Sequence, residues 1–251
     1  MEYREIAPHP RLARHVECLW MFGSGSREVV QRVLPDGCTD LVFVLSGGRI
    51  QASVAGAMTR PLLTTMRPGE EVFGIRFHPA MSHGLLRTPV AMLTDSVTDL
   101  ESLWGKDGRA LEQRLGDAGS MRARLALLEA VVYPPPSLTP VQQAAQSILR
   151  NGGNISPDDL ARNAGLSARH FRRLCIEQAG IGAKTLCRVV RFRRAALDIS
   201  RQSRQWADFA LGHGYYDQAH FINEFKEFSG LTPAAYACSF SLPNRHDAAK
   251  S

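Results

Sequence analysis

Residues 160–166 spell LARNAGL and residues 209–215 spell FALGHGY, so one pattern of apolar, alanine and glycine positions occurs twice. The next segment of the first copy, SARHFRRLCIEQAGIGAKTL at 167–186, is matched by DQAHFINEFKEFSGLTPAAY at 217–236. Each copy predicts a short helix, a glycine turn, a second helix and a glycine stop. The sequence therefore predicts two helix-turn-helix units in tandem.

Capping residues mark where these helices begin. Ser156 precedes Pro157, while Ser167 and Asp217 precede the second helix of each copy. Serine and aspartate accept hydrogen bonds from free backbone N–H groups at a helix start, and proline fits the first helical position. Between the copies, residues 184–200 predict one long helix. Its expected length of ~26 Å suits a rod that holds two DNA-contacting helices about one duplex turn, ~34 Å, apart.

The outward face of each second helix holds the candidate DNA-contacting residues. In the first copy these are Ala168, Arg169, Arg172 and Arg173. In the second copy they are Gln218, Ala219, Ile222 and Asn223, with Lys226 behind them. An exposed arginine stripe is most often a solvated helix face. On the second helix of a helix-turn-helix it can instead contact guanine or phosphate, whereas amide and apolar side chains suit adenine and the thymine methyl group.

The net charge of +6 is distributed unevenly along the 251 residues. Residues 1–137 contain 15 basic and 15 acidic residues, whereas residues 138–251 contain 15 basic and 9 acidic residues. The whole excess therefore lies in the repeat half, which indicates a polyanionic partner for that half. The plainer interpretation is a soluble basic domain.

The first ~80 residues have the apolar pattern of β-strands separated by turns. The strand candidates are 16–22, 29–34, 41–45, 50–54 and 72–77. From Pro79 onward the period becomes helical, with Thr94, Asp95 and Asp99 as expected caps and an apolar helix at 121–132.

Three consecutive prolines at 134–136 then stop that helix and form a stiff spacer. The predicted fold class is α+β in two domains. A β-rich domain with carboxy-terminal helices occupies 1–134. An all-α domain at 138–240 has two helix-turn-helix units joined by a long helix, and residues 241–251 are expected to form a disordered tail.

Patterns for catalysis, cofactors and metals are missing from the sequence. His78 and His83 flank Pro79 and have poor metal-binding spacing, and the five cysteines are odd in number with no C-x-x-C pair. Reduced thiols are expected, and Cys38 leaves open a weaker alternative, a thiol enzyme or redox sensor. The charged amino terminus lacks a signal-peptide pattern, and no apolar run is long enough to span a membrane. We therefore expect a soluble, cytoplasmic, non-enzymatic protein without a cofactor.

Residues ~140–240 resemble the DNA-binding domain of the AraC/XylS family of bacterial transcription regulators. The resemblance rests on GHGYYDQAHFINEFK at 212–226 and GLTPAAY at 230–236. It implies two recognition helices in successive major grooves, double-stranded DNA as partner, and action through RNA polymerase. Asn223 stands where family members often carry arginine. Members that repair alkylated DNA carry a Pro-Cys-His-Arg motif, which this sequence lacks.

The first half resembles a β-rich amino-terminal domain of one branch of that family. The matching stretches are LPDGCTDL at 34–41 and GIRFHP at 74–79. The resemblance suggests effector sensing or formation of a homodimer. Two hypotheses follow: a transcription activator or repressor modulated by a small-molecule effector, and a ligand-independent DNA-binding regulator whose first half only dimerises.

Overall fold

The computed structural model describes residues 3–199 and 206–239, in which a β-rich part precedes a helical part. The strands are β1 (Arg4–Ile6), β2 (Val16–Gly23), β3 (Val29–Val33), β4 (Thr39–Ser46), β5 (Arg49–Ala55), β6 (Leu62–Met66), β7 (Glu71–Phe77) and β8 (Val97–Asp99). Helices of the first part are α1 (His83–Leu86), α2 (Leu100–Trp104), α3 (Lys106–Asp117) and α4 (Met121–Val131), with 3₁₀ turns at Pro10–Leu12 and Val90–Leu93. The second part contains α5 (Pro140–Arg150), α6 (Pro157–Asn163), α7 (Ala168–Ala179), α8 (Ala183–Asp198), α9 (Trp206–Gly212), α10 (Gln218–Ser229) and α11 (Pro233–Ser239). This arrangement confirms the predicted fold class.

An antiparallel sheet in the order β1-β2-β7-β4-β5-β8 organises the first part. Side chains alternate between its two faces, as the period of two in a strand requires. Leu41, Phe43 and Ile75 lie on one face, in the core that α2, α3 and α4 complete. On the other face, Phe22 packs with Met66 of the separate β3–β6 ribbon. The sheet is thus covered by helices on one side and by a two-stranded ribbon on the other.

The sequence pattern found the long strands and missed β1, β6 and β8. β1 and β8 have three residues each, and every residue of β1 is exposed. Asp99 caps α2 as predicted, since its carboxylate accepts a hydrogen bond from the Ser102 N–H. Thr94 and Asp95 do not begin a helix as Asp99 does; Thr94 is instead the carboxy-terminal cap of the 3₁₀ turn at Val90–Leu93. Thr94 donates its hydroxyl to the Gly180 carbonyl oxygen, 2.7 Å away, and the Asp95 carboxylate accepts from the backbone and hydroxyl of Thr59.

Helix α8 is shared by both helix-turn-helix units. Leu186 and Val190 lie in the core formed with α5, α6 and α7. Val189 and Phe192 lie in the core formed with α9, α10 and α11. One helix-turn-helix unit therefore packs against each side of α8. Near its carboxyl end, Leu197 is 46% exposed.

The predicted seam between the two domains, at residues 134–138, falls between the end of α4 at Val131 and the start of α5 at Pro140. Side chains from before this seam also enter the helical cores, since Ala57 and Ala80 are buried with the first unit and Leu34 packs on the second. The two parts therefore share apolar contacts. The expectation for residues 241–251 concerns a segment outside the described residues.

Candidate DNA-binding surface

Helices α6 and α7 form the first helix-turn-helix unit. Gly165 between them has φ of 66°, a left-handed conformation that favours glycine. Ser167 caps α7 by accepting a hydrogen bond from the His170 N–H, as predicted. Phe171 and Cys175 bury one side of α7 in the core. The opposite side is left to solvent.

Helices α9 and α10 repeat this geometry. Gly214 has φ of 80°, and Asp217 caps α10 by accepting from the His220 N–H at 2.7 Å. Phe221 and Phe225 are buried and pack edge to face, with ring centroids 5.5 Å apart. The second unit therefore has an aromatic core where the first has a smaller, mixed one.

The structure leaves most of the predicted contact residues open to solvent. The exposed ones are Ala168, Arg169, Arg172, Arg173, Gln218, Ala219, Asn223 and Lys226. Ile222 is half-buried because it packs against the aromatic core of the second unit. Exposure is what contact with a DNA groove requires, and the contacts themselves stay predictions.

Two features of α7 modify the predicted arginine stripe. Arg173 pairs with Glu177 at 3.1 Å, and both side chains are largely exposed. Such a surface pair is worth only about 0–1 kcal/mol, so Arg173 can exchange it for a phosphate. Ile176 lies one turn further along and is 40% exposed. It is absent from the predicted contact set, although the 50-residue offset between the copies makes it the equivalent of Lys226.

Arg188 of α8 fixes α10, the second helix of the second unit, in place. Its guanidinium lies 2.6 Å from Glu224 and 2.6 Å from Glu227 of α10, and its central carbon is 5.0 Å from the Phe228 ring centroid. Burial alone would lower the pKa of Arg188, but the two glutamates hold it above its ordinary value. Glu224 is only 3% exposed and also faces His220 at 3.6 Å. A charged contact thus sets how α10 sits on α8.

The alternative site at Cys38 has the wrong environment for a nucleophile. The thiol is 2% exposed and donates a hydrogen bond to Glu17, 3.3 Å away. Burial, together with the negative charges of Asp36 and Glu17, raises the pKa of Cys38 well above its ordinary value. A protonated, enclosed thiol is a poor nucleophile.

Within residues 3–199 and 206–239, no group of three or more histidine, cysteine or acidic side chains could hold a metal ion. Over the same residues, every helix is too short or too polar to cross a bilayer.

Known proteins resemble this chain over parts of its length. Residues 160–238 match a family model described as a helix-turn-helix domain, and residues 4–99 match one described as a domain of unknown function, DUF6597. The chain is 35% identical to the invasion protein InvF of Salmonella typhi over 74 residues, which are 30% of this chain and 34% of InvF. It is 28% identical to the HTH-type transcriptional activator AarP of Providencia stuartii over 85 residues, which are 34% of this chain and 63% of AarP.

The matches therefore span about a third of InvF and less than two thirds of AarP. Among solved structures, an AraC-type transcriptional regulator from Chromobacterium violaceum is 22% identical, with a TM-score of 0.39, over 42% of this chain and 95% of its own. The family matches cover both the strands of the first part and the paired units of the second. This chain therefore carries a segment similar to a helix-turn-helix domain at 160–238, behind an amino-terminal segment similar to DUF6597 at 4–99.

Proposed function

We propose that this chain is a sequence-specific DNA-binding transcriptional regulator that places α7 and α10 in successive major grooves. The observation that supports the proposal is the repeated exposed face. Both second helices expose residues at equivalent positions, while their opposite faces are buried. The second helix of a helix-turn-helix is the one that enters the major groove.

The two recognition helices differ in the contacts they offer. Arg169, Arg172 and Arg173 of α7 can make charge-assisted contacts, which are strong and partly independent of sequence. Gln218 and Asn223 of α10 offer amides, which suit adenine but add little general attraction. We therefore assign most of the binding free energy to α7 and sequence refinement to α10.

The spacing of the two helices follows from α8. Its 16 residues correspond to ~24 Å of helix, and each recognition helix packs beside it. Two such helices suit segments about one turn, ~34 Å, apart on one face of the duplex.

Selection of bound sequences from random double-stranded DNA tests this proposal. The full chain should enrich sites with two short blocks about 10 base pairs apart. A site placed before a promoter in a reporter strain should change transcription when the chain is expressed. Enrichment of no sequence above background would contradict the proposal.

The proposal also includes partners other than DNA. We propose that the chain acts on RNA polymerase, and that the amino-terminal domain binds a small-molecule effector or forms a homodimer. A ligand that binds the native state raises the melting temperature, so a thermal-shift panel separates an effector-responsive regulator from a ligand-independent one. Sedimentation measures self-association directly. The burial of Cys38 speaks against the thiol enzyme or redox sensor, and we propose no reaction for this chain.

A further inference from the structure

The two recognition helices end in the same way. Gly180 and Gly230 occupy equivalent positions in the repeat and cap α7 and α10 in left-handed conformations, with φ of 77° and 74°. Carbonyl groups at a helix carboxyl end lack partners within the helix and attract hydrogen-bond donors or positive charge.

The amino-terminal domain supplies a donor at each of these ends. Thr94 donates its hydroxyl to the Gly180 carbonyl oxygen at 2.7 Å. Arg32 on β3 donates from Nη1 to the Ser229 carbonyl oxygen at 3.0 Å. We call these two hydrogen bonds the tip contacts. They arise from different segments of the amino-terminal domain, yet they meet nearly equivalent points of the two units.

The same domain lies close to both glycines, although Gly180 is buried and Gly230 is exposed. A Cβ atom at Gly180 would lie 2.9 Å from Thr94 Oγ1 and 3.2 Å from the Val90 carbonyl oxygen. A Cβ atom at Gly230 would lie 3.0 Å from Arg32 Nη1. The tip contact at Gly180 is therefore close-packed as well as hydrogen-bonded, whereas the one beside Gly230 is a hydrogen bond at the surface.

A third contact joins α8, the helix shared by both units, to the amino-terminal domain. Arg193 lies 2.7 Å and 3.3 Å from the two carboxylate oxygens of Glu17 on β2, in a bidentate pair. Burial by itself would raise the pKa of Glu17, but Arg193 brings it down to about 2. Leu186, also on α8, packs closely on Gly37 of the amino-terminal domain. A Cβ atom added to Gly37 would lie 2.5 Å from Leu186 Cδ1.

We propose that the amino-terminal domain fixes the separation and mutual orientation of the two recognition helices, with Thr94 and Arg32 as positioning residues at their ends and Arg193–Glu17 as the contact between them. The inference rests on the proposed DNA-binding function. Neither Thr94 nor Arg32 is required to contact DNA. Each acts by holding the end of a helix, so the domain determines which spacing between half-sites the chain accepts.

The test uses the full chain and a series of duplexes. Each duplex keeps both half-sites recovered by selection from random DNA, and the spacer between them is lengthened or shortened by one or two base pairs. A second probe contains one half-site alone. The variant is Arg32→Ala combined with Thr94→Val, which removes both tip contacts.

The wild-type chain should bind one spacing best. In the double variant, the ratio of affinities between the best spacing and its neighbours should fall at least about fivefold, the equivalent of one lost hydrogen bond. Affinity for the single half-site should change less than about twofold. Thr94→Ser, which keeps the hydroxyl, should preserve the wild-type profile.

Arg109→Ala is the matched control for the loss of an arginine contact, because Arg109 pairs with Glu101 within the amino-terminal domain at 2.9 Å. It should leave the spacing profile unchanged. Should the double variant fail to fold, Arg32→Ala alone carries the same test, since that side chain is exposed.

Two results would overturn the inference while leaving the proposed function intact. One is a folded variant with the wild-type spacing profile. The other is an equal loss of affinity for the single half-site and the paired sites, which indicates general damage and not altered positioning. If the wild-type chain selects no sequence at all, the proposed function fails, and this inference falls with it.

Discussion

At the scale of single residues, Arg169 is the clearest candidate for base recognition. It is exposed at the start of α7, where the residues of a recognition helix meet the bases. We expect Arg169→Ala to relax base preference within one half-site by about 1–3 kcal/mol, without changing preference in the other. Repeating the selection with this variant measures the effect, and an unchanged binding profile would remove Arg169 from the interface.

The Glu17 carboxylate gives the contact between the domains a pH dependence. Burial raises its pKa above the ordinary value of 4.5, but the charge and hydrogen bonds of Arg193, together with Arg76 and the hydrogen bond from Cys38, bring the pKa down to about 2. A depressed carboxyl pKa stabilises the fold above pH 4.5, and this stability is lost as the pH falls towards 2. The contribution at neutral pH is on the order of 3 kcal/mol.

Glu17→Gln measures this contribution. The free energy of unfolding of the variant should lie below that of the wild type at pH 7, and the difference should shrink between pH 4.5 and 2. Glu101→Gln serves as control, because Glu101 forms an exposed pair with Arg109. A gap between wild type and Glu17→Gln that stays constant over this pH range would contradict the assignment.

At the scale of elements, Arg188 links α8 to the second recognition helix. Removing it leaves Glu224 buried without its main counter-charge, a change that costs about 3–5 kcal/mol in stability. We expect Arg188→Met to be strongly destabilising. Adding Glu224→Gln should recover part of the loss, because the uncompensated charge is then removed. Urea unfolding of the two single variants and the double variant provides the measurement, and strictly additive losses would show that the two residues are not coupled.

Helix positions were predictable from the sequence because the signals that begin and end a helix are local. Ser167 and Asp217 cap the predicted helices, and Gly180 and Gly230 end them. Strand β6 was missed because it lies in a ribbon whose pairing with β3 joins segments about thirty residues apart in sequence. Half-burial of Ile222 was missed for a similar reason, since the helical period alone does not define the width of a buried face.

The contacts between the domains could not be predicted either, because they join residues that are far apart in the sequence. Glu17 and Arg193 are 176 positions apart, and nothing in either local segment marks them as a pair. Thr94 had a sound local interpretation as a helix cap, yet its hydroxyl is used by a helix 86 residues away. The residues expected to contact DNA were identifiable because a repeat shows which positions are equivalent, even without a fold.

At the scale of the whole molecule, the isolated fragment 138–251 tests how independent the two domains are. It contains both units and the whole charge excess, so we expect it to fold and to bind DNA with strongly salt-dependent affinity. Cutting at the seam also removes Thr94 and Glu17, and it exposes apolar surface that Ala57 and Ala80 cover. The fragment should therefore melt at a lower temperature than the full chain. An unfolded fragment would show that the helical part depends on the amino-terminal domain to fold.

The central claim is that α7 and α10 occupy two successive major grooves on one face of the duplex. Methylation protection of guanine N7, which lies in the major groove, measures this directly on a selected site that has guanines within or beside both half-sites. We predict two protected patches about 10 base pairs apart, with Arg169→Ala weakening one patch and Gln218→Ala with Asn223→Ala weakening the other. A single continuous patch, or protection that none of these variants alters, would contradict the account.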